Sequence, residues 1–332
     1  MVETTAIATT ARTDRAIARR MGWSVGGALL VGLVVAPQFG LPPYIMSLVI
    51  EVMIVAIFAM SLDLLLGYTG LVSLGHAAFF ATGSYAAGLA AKFLTHELVV
   101  TTVIGLVVSM VLAVAIGWLS IRLSGFYFLM ITFAFGQMIY SVAYRWNWLT
   151  GGSDGLNIPA ATFFGAHVLG SRLQIYYTVL VGFVICFMLM RRIVGSPFGE
   201  VLAGIRENPR RMRAIGFDVR GYRLAVFVIG AGFAAFAGIL NAQFNFFVAP
   251  DSAHWTESAS VLVMVLVGGA GTLVGPVLGA GVVIMLQNWL SSYTQYWSLF
   301  LGLLFIVLIT IARDGILGLA GRGWQRLRRG VA

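Results

Sequence analysis

The chain is a succession of apolar runs, each near the length of a bilayer crossing and each ended by glycine, proline or charge. The runs lie at 21 to 36, 44 to 66, 77 to 92, 98 to 121, 126 to 143, 173 to 191, 223 to 246, 258 to 271, 273 to 290 and 298 to 312. A spanning helix takes roughly 20 apolar residues, so these runs occupy most of the 332 residues and leave no room for a soluble catalytic domain. Composition agrees: 60% of residues are hydrophobic and 10% charged, with a mean hydropathy of +0.94, outside the range of soluble domains. The expected fold is an all-α polytopic membrane protein of about ten transmembrane helices, with broken or re-entrant segments.

A net charge of +9 raises nucleic acid as a partner, but its placement argues against one. All but Lys92, Arg122, Arg145 and Arg172 of the 21 basic residues fall in three clusters: Arg12 to Arg20, Arg191 to Arg223, and Arg313 to Arg329. Basic clusters beside apolar spans mark the cytoplasmic side, which assigns both tails and the loop 195 to 222 to the inside and segment 144 to 172 to the outside. An even number of runs precedes the loop and an even number follows it, so the parity of crossings gives the same sidedness. The expected organisation is a cytoplasmic tail 1 to 20, a transmembrane region 21 to 315 and a basic cytoplasmic tail 316 to 332. Arginines ahead of Met21 to Ala36 imitate a secretory leader, but Pro37, directly after Val34 and Ala36, favours an uncleaved first helix. The single cysteine, Cys186, lies in an apolar run and supports neither a disulfide nor a thiol metal site.

Two glycine-rich breaks interrupt the runs near the inner side: Gly67 to Gly70 with Gly75, and Gly268 to Gly271 with Gly275 and Pro276. Such breaks unpair backbone groups, which hydrocarbon does not tolerate unless protein or water covers them. They are expected to face the bundle interior, on the same side of the membrane. Gly271, Gly275 and Gly279, and likewise Gly230, Ala234 and Gly238, recur at four-residue spacing and offer faces for close helix packing.

The segment from Arg192 to Arg223 is too polar to span and too patterned to be a linker. Ser196 before Pro197, and Asn208 before Pro209, are helix starts in which a side chain caps free N–H groups and proline takes the first helical position. Gly216 provides a left-handed stop. Two short helices, about 197 to 206 and 209 to 215, are expected to meet at Asn208, with Val201, Leu202, Ile205, Met212 and Ile215 as their apolar side. Such an element could be gripped by an ATPase subunit or lie on anionic lipid.

Ser61 to Phe80, Leu202 to Gly216 and Gly268 to Gly279 together resemble the permease subunits of branched-chain amino acid ABC importers, and the outer segment Thr150 to Leu156 is similar too. The likeness runs in order from about residue 40 to 315, and is to the longer of the two paralogous permeases of that family. It implies a chain in the bacterial inner membrane that forms half of a translocation path with a paralogous permease subunit. Two cytoplasmic ATPase subunits would grip the loop and a periplasmic substrate-binding protein would dock outside. The ATPase-coupling residues are then Arg206, Glu207, Asn208, Pro209, Arg210, Arg211, Ala214 and Gly216. ATP and Mg belong on the partner subunits and no cofactor on this chain, which carries no phosphate-binding Gly-x-x-x-x-Gly-Lys-Ser/Thr motif. Relatives also carry urea, short amides or aromatic acids.

A zwitterion with an apolar side chain needs dipoles for its ends and an apolar wall, and broken helices supply dipoles without fixed charge. The candidate path therefore comprises Gly70, Ser73, Gly75, His76, Phe79 and Phe80 at the first break and Gly268, Gly269, Gly271 and Gly275 at the second, beside Leu266 and Val267. The alternative is that the glycines serve packing alone and that His76 bonds a carbonyl. Glu51 and Asp63 are ionisable residues in one apolar run; twelve positions place them about 120° apart on a helix. In an ion-coupled secondary transporter one of them would carry the ion dependence. Asn241, Gln243, Asn245, Gln287 and Asn288 are expected at outer helix ends, more as interfacial groups than as ligands.

Overall fold

The computed structural model describes residues 37, 42 to 163, 166 to 167, 170 to 296, 299 to 300 and 302 to 303. The expected tails 1 to 20 and 316 to 332, the first run and most of the last lie outside the described residues. The other eight runs each form a helix: α1 (Pro43–Thr69), α2 (His76–Phe93), α3 (Leu98–Ser120), α4 (Phe126–Arg145), α6 (Arg172–Val194), α9 (Val219–Asn245), α10 (Trp255–Gly268) and α11 (Val274–Ser291). Six of these, all but α2 and α10, are long and apolar enough to cross a membrane, as expected of an all-α polytopic membrane protein. The loop contains α7 (Pro197–Glu207) and α8 (Pro209–Ala214), and a one-turn helix α5 (Asn147–Thr150) follows α4.

The bundle is organised around α2, whose small residues let α9 and α3 approach closely. A side chain at Gly238 of α9 would strike the Phe80 carbonyl of α2, and one at Gly83 of α2 would strike Ala235 of α9. Helices in lipid gain little from apolar burial and associate by such close packing instead. On α3, Thr101, Gly105, Ser109, Ala113 and Gly117 form the inward face, while Val103, Val107, Val111 and Trp118 are exposed. Apart from Ile116, the large apolar side chains thus lie on the outer face and the small ones against protein.

The segments beyond α4 and α9 fold together. Strand β1 (Leu156–Asn157) pairs antiparallel with β4 (Phe247–Val248), and β2 (Thr162–Phe163) with β3 (Ala166–His167). Gly151, Gly152 and Gly155 hold φ of 79°, 59° and 73°, and the Thr150 hydroxyl donates to the Ala143 carbonyl at 2.7 Å. The glycines of this motif therefore serve a compact turn that L side chains would strain.

Candidate functional site

The basic loop forms the expected helix pair. Asn208 ends α7 and begins α8, its Oδ1 accepting from the N–H groups of Arg210 at 3.1 Å and Arg211 at 3.0 Å. Gly216 holds φ of 94°. Ser196 stands at the start of α7 but does not cap it as expected; its hydroxyl donates back to the Ile193 carbonyl at 2.6 Å, because Gly195 brings α6 directly against α7. Asp218, not foreseen as a cap, accepts from Arg220 N–H at 3.1 Å and starts α9 four residues before the apolar run.

The apolar side divides between the two helices. Leu202 and Ile205 are fully buried, and α7 packs on α1. Phe198 stacks on Tyr222 at 5.5 Å, and Met212 of α8 lies on α7 where Gly204 leaves room. Ile215 departs from expectation at 63% exposure, because α8 ends one residue before it and the chain turns outward. No residue of α8 is buried, so Arg210, Arg211, Arg213 and Ala214 face outward, as does Glu207 at the end of α7.

The two glycine breaks meet at the same end of the bundle. Asp63, fully buried, accepts the Gly271 N–H at 2.7 Å through Oδ1. A side chain at Gly67, one turn beyond Asp63, would strike the backbone of Gly271, so the chains touch where both residues are glycine. From α7 the guanidinium of Arg206 donates to the Gly67 carbonyl. Thus Arg206, expected to face the ATPase, reaches one break, and Asp63, expected only as an ionisable residue within an apolar run, holds the other.

Several backbone donors at the breaks are paired within their own turns. Gly70, at φ of 73°, folds back so that its N–H donates to Leu66 O at 3.1 Å and that of Leu71 to Leu65 O at 3.0 Å. Gly269 N–H donates to Val265 O at 2.9 Å and Gly275 N–H to Thr272 O at 2.9 Å. Gly268 packs on the Gly275 carbonyl and Gly279 on the Met264 carbonyl, joining α10 to α11. Gly271 itself is in the turn at φ of 82°, so it does not extend the helical face of Gly275 and Gly279. Gly75 abuts the Thr132 carbonyl of α4.

His76, Phe79, Phe80 and Ser73 are buried behind this junction. His76 Nε2 lies 2.9 Å from Ser61 Oγ, which itself donates to Phe58 O at 2.7 Å. The hydroxyl proton is therefore used, and Nε2 carries a hydrogen that it donates to Ser61 Oγ. Phe58 stacks on His76, and Phe79 packs edge-on against Phe227. Glu51 remains exposed, well separated around α1 from the buried Asp63. Asn245 bonds Asn241 O at 3.1 Å and Asn288 bonds Ile284 O at 3.1 Å, within their own helices, whereas Gln243 is buried.

Comparison with known proteins matches residues 44–310 to the family described as branched-chain amino acid transport system / permease component. The chain is 28% identical over 332 residues to the high-affinity branched-chain amino acid transport system permease protein LivM of Escherichia coli (strain K12), covering 92% of this chain and 77% of that protein. To the LivM of Salmonella typhimurium (strain LT2) it is 27% identical over 303 residues, covering 84% and 71%. To the LivH of the same organism it is 24% identical over 285 residues, covering 79% and 91%. No solved structure matches.

Proposed function

We propose, from the premise that the chain belongs to the branched-chain amino acid transport permease family, that it is a membrane subunit of an ATP-driven importer for branched-chain or chemically related amino acids. It forms half of a translocation path with a paralogous permease, receives substrate from a periplasmic binding protein, and is moved by two cytoplasmic ATPase subunits. The observation that carries this reading is the division of labour in the helix pair. Helix α7 is rooted in the bundle through Leu202 and Ile205, while α8 presents Arg210, Arg211 and Arg213 outward with no buried residue of its own.

The helix pair and both tails lie in the cytoplasm in this reading, and the segment with Ser153 lies outside. The glycine junction is then the inner closure of the path. Gly70, Gly75, Gly268, Gly269, Gly271 and Gly275 border it, with Ser73, His76, Phe79 and Phe80 behind. Gentle purification of the chain should bring down a sister permease and ATPase subunits, and uptake into vesicles should need both ATP and the binding protein. A functional homodimer without ATPases, or uptake that collapses only with an ion gradient, would overturn the assignment.

A further inference from the structure

Arg206 runs beside two glycines to the carbonyl of a third. A side chain at Gly70 would come within 3.5 Å of its Cγ, and one at Gly271 within 3.3 Å of its Nη1, while the carbonyl of Gly67 receives its guanidinium. The arm thus leaves α7, passes beside the end of α1 and terminates where α1 and the turn between α10 and α11 touch. Its base is rigid, because Leu202 sits one turn before it in the core and Ile205 is buried next to it. Its far end is equally constrained, because Asp63 holds the Gly271 N–H at 2.7 Å across the same contact. Asp63 Oδ2 has no hydrogen-bond partner among the described residues, so the carboxyl's one hydrogen bond is the one that holds Gly271.

We propose that Arg206 is the positioning residue that transmits movement of the helix pair to both glycine breaks: it fastens α7 to the Gly67 carbonyl beside Gly271, and Asp63 fastens Gly271 in turn, so that α7 cannot shift without opening or closing the junction. Packing alone could not do this, since glycines slide past one another without resistance, whereas a charged donor on a backbone carbonyl resists displacement. The inference rests on the reading of the helix pair as the element that ATPases move.

The test uses the complete complex in liposomes with Arg206→Ala and Arg206→Lys. Arg206→Ala should lower substrate moved per ATP by about tenfold, the scale on which loss of a hydrogen bond from a charged donor is felt. Co-purification of the ATPase subunits should stay as in the unmodified protein, and Arg206→Lys, which keeps one charged donor, should recover part of the loss. A second readout needs no ATPase. In a Cys186→Ala background, a Ser73→Cys thiol is buried beside the first break and should react faster with a small hydrophilic maleimide once Arg206 is Ala. An unchanged transport ratio, loss of the ATPases from the Arg206→Ala complex, a lysine no better than alanine, or unchanged thiol labelling would each overturn the proposal. Failure of the unmodified complex to require ATP would instead sink the importer reading and leave the labelling result to judge the junction.

Discussion

At the scale of single residues, the same amino acid carries different weights according to what stands opposite it. Gly67 faces the backbone of Gly271, which cannot give, so Gly67→Ala must push two chain segments apart. Overpacking of this kind costs about 1 to 3 kcal/mol, and the variant should show a clearly lowered unfolding temperature in detergent. Gly216 has open space around it and needs only its φ of 94°. Gly216→Ala should therefore cost no more than about 1 to 2 kcal/mol of backbone strain and leave the bundle's melting unchanged, because the strain is local to the end of α8. Equal melting of the two variants would contradict the contact between the breaks. Asn208 is a third case, since its Oδ1 takes two N–H groups at the start of α8. Asn208→Ala should cost about 1 kcal/mol of local helix stability. The expected phenotype is impaired uptake with normal membrane insertion, and wild-type ATPase stimulation in that variant would remove the cap from any role.

Between elements, the helix pair separates a face that holds from a face that is offered. Leu202 is fully buried under α7, and Leu202→Ala should destabilise the protein by about 2 to 5 kcal/mol, visible as a lowered melting temperature and reduced yield. Ile215, 63% exposed, should be neutral in the same assay when changed to Ala, yet that variant should retain less ATPase subunit on purification. The reverse pattern would mean that the apolar side of the pair is all core. Much of this element is legible in the sequence because caps and prolines act over three or four residues: Asn208 with Pro209 and the stop at Gly216 lie where the spacing puts them. Ser196 shows the limit of such reading. Its hydroxyl had two possible partners, and the turn from α6 into α7 gave it the carbonyl of Ile193 rather than the free N–H groups ahead.

For the whole molecule, the even numbers of apolar runs on either side of the basic loop predict opposite exposure of two segments. A cysteine at Ser153 should react with an impermeant reagent in intact cells and one at Asp218 should not; both positions are exposed in the folded chain, so access through the membrane alone decides. Labelling of Asp218 from outside would overturn the sidedness of every helix. The eight apolar helices of the described residues could be read from apolar runs and their glycine, proline and charged ends, because a bilayer demands roughly 20 apolar residues per crossing and internal pairing of every backbone group. Pairing across the bundle could not be read this way. That Asp63 reaches Gly271, and that Arg206 reaches Gly67, joins residues separated by more than a hundred positions. The spacing of Asp63 and Gly67 by one helical turn was a trace of it, marking a carboxylate beside a place where another backbone could enter. The local pattern determined which stretches form the long apolar helices and where the helix pair of the loop divides, since those depend on the residue and its near neighbours. Only the tertiary structure decided which glycine met which, because a glycine has no side chain to choose its partner and takes the one that the packing of its neighbours brings.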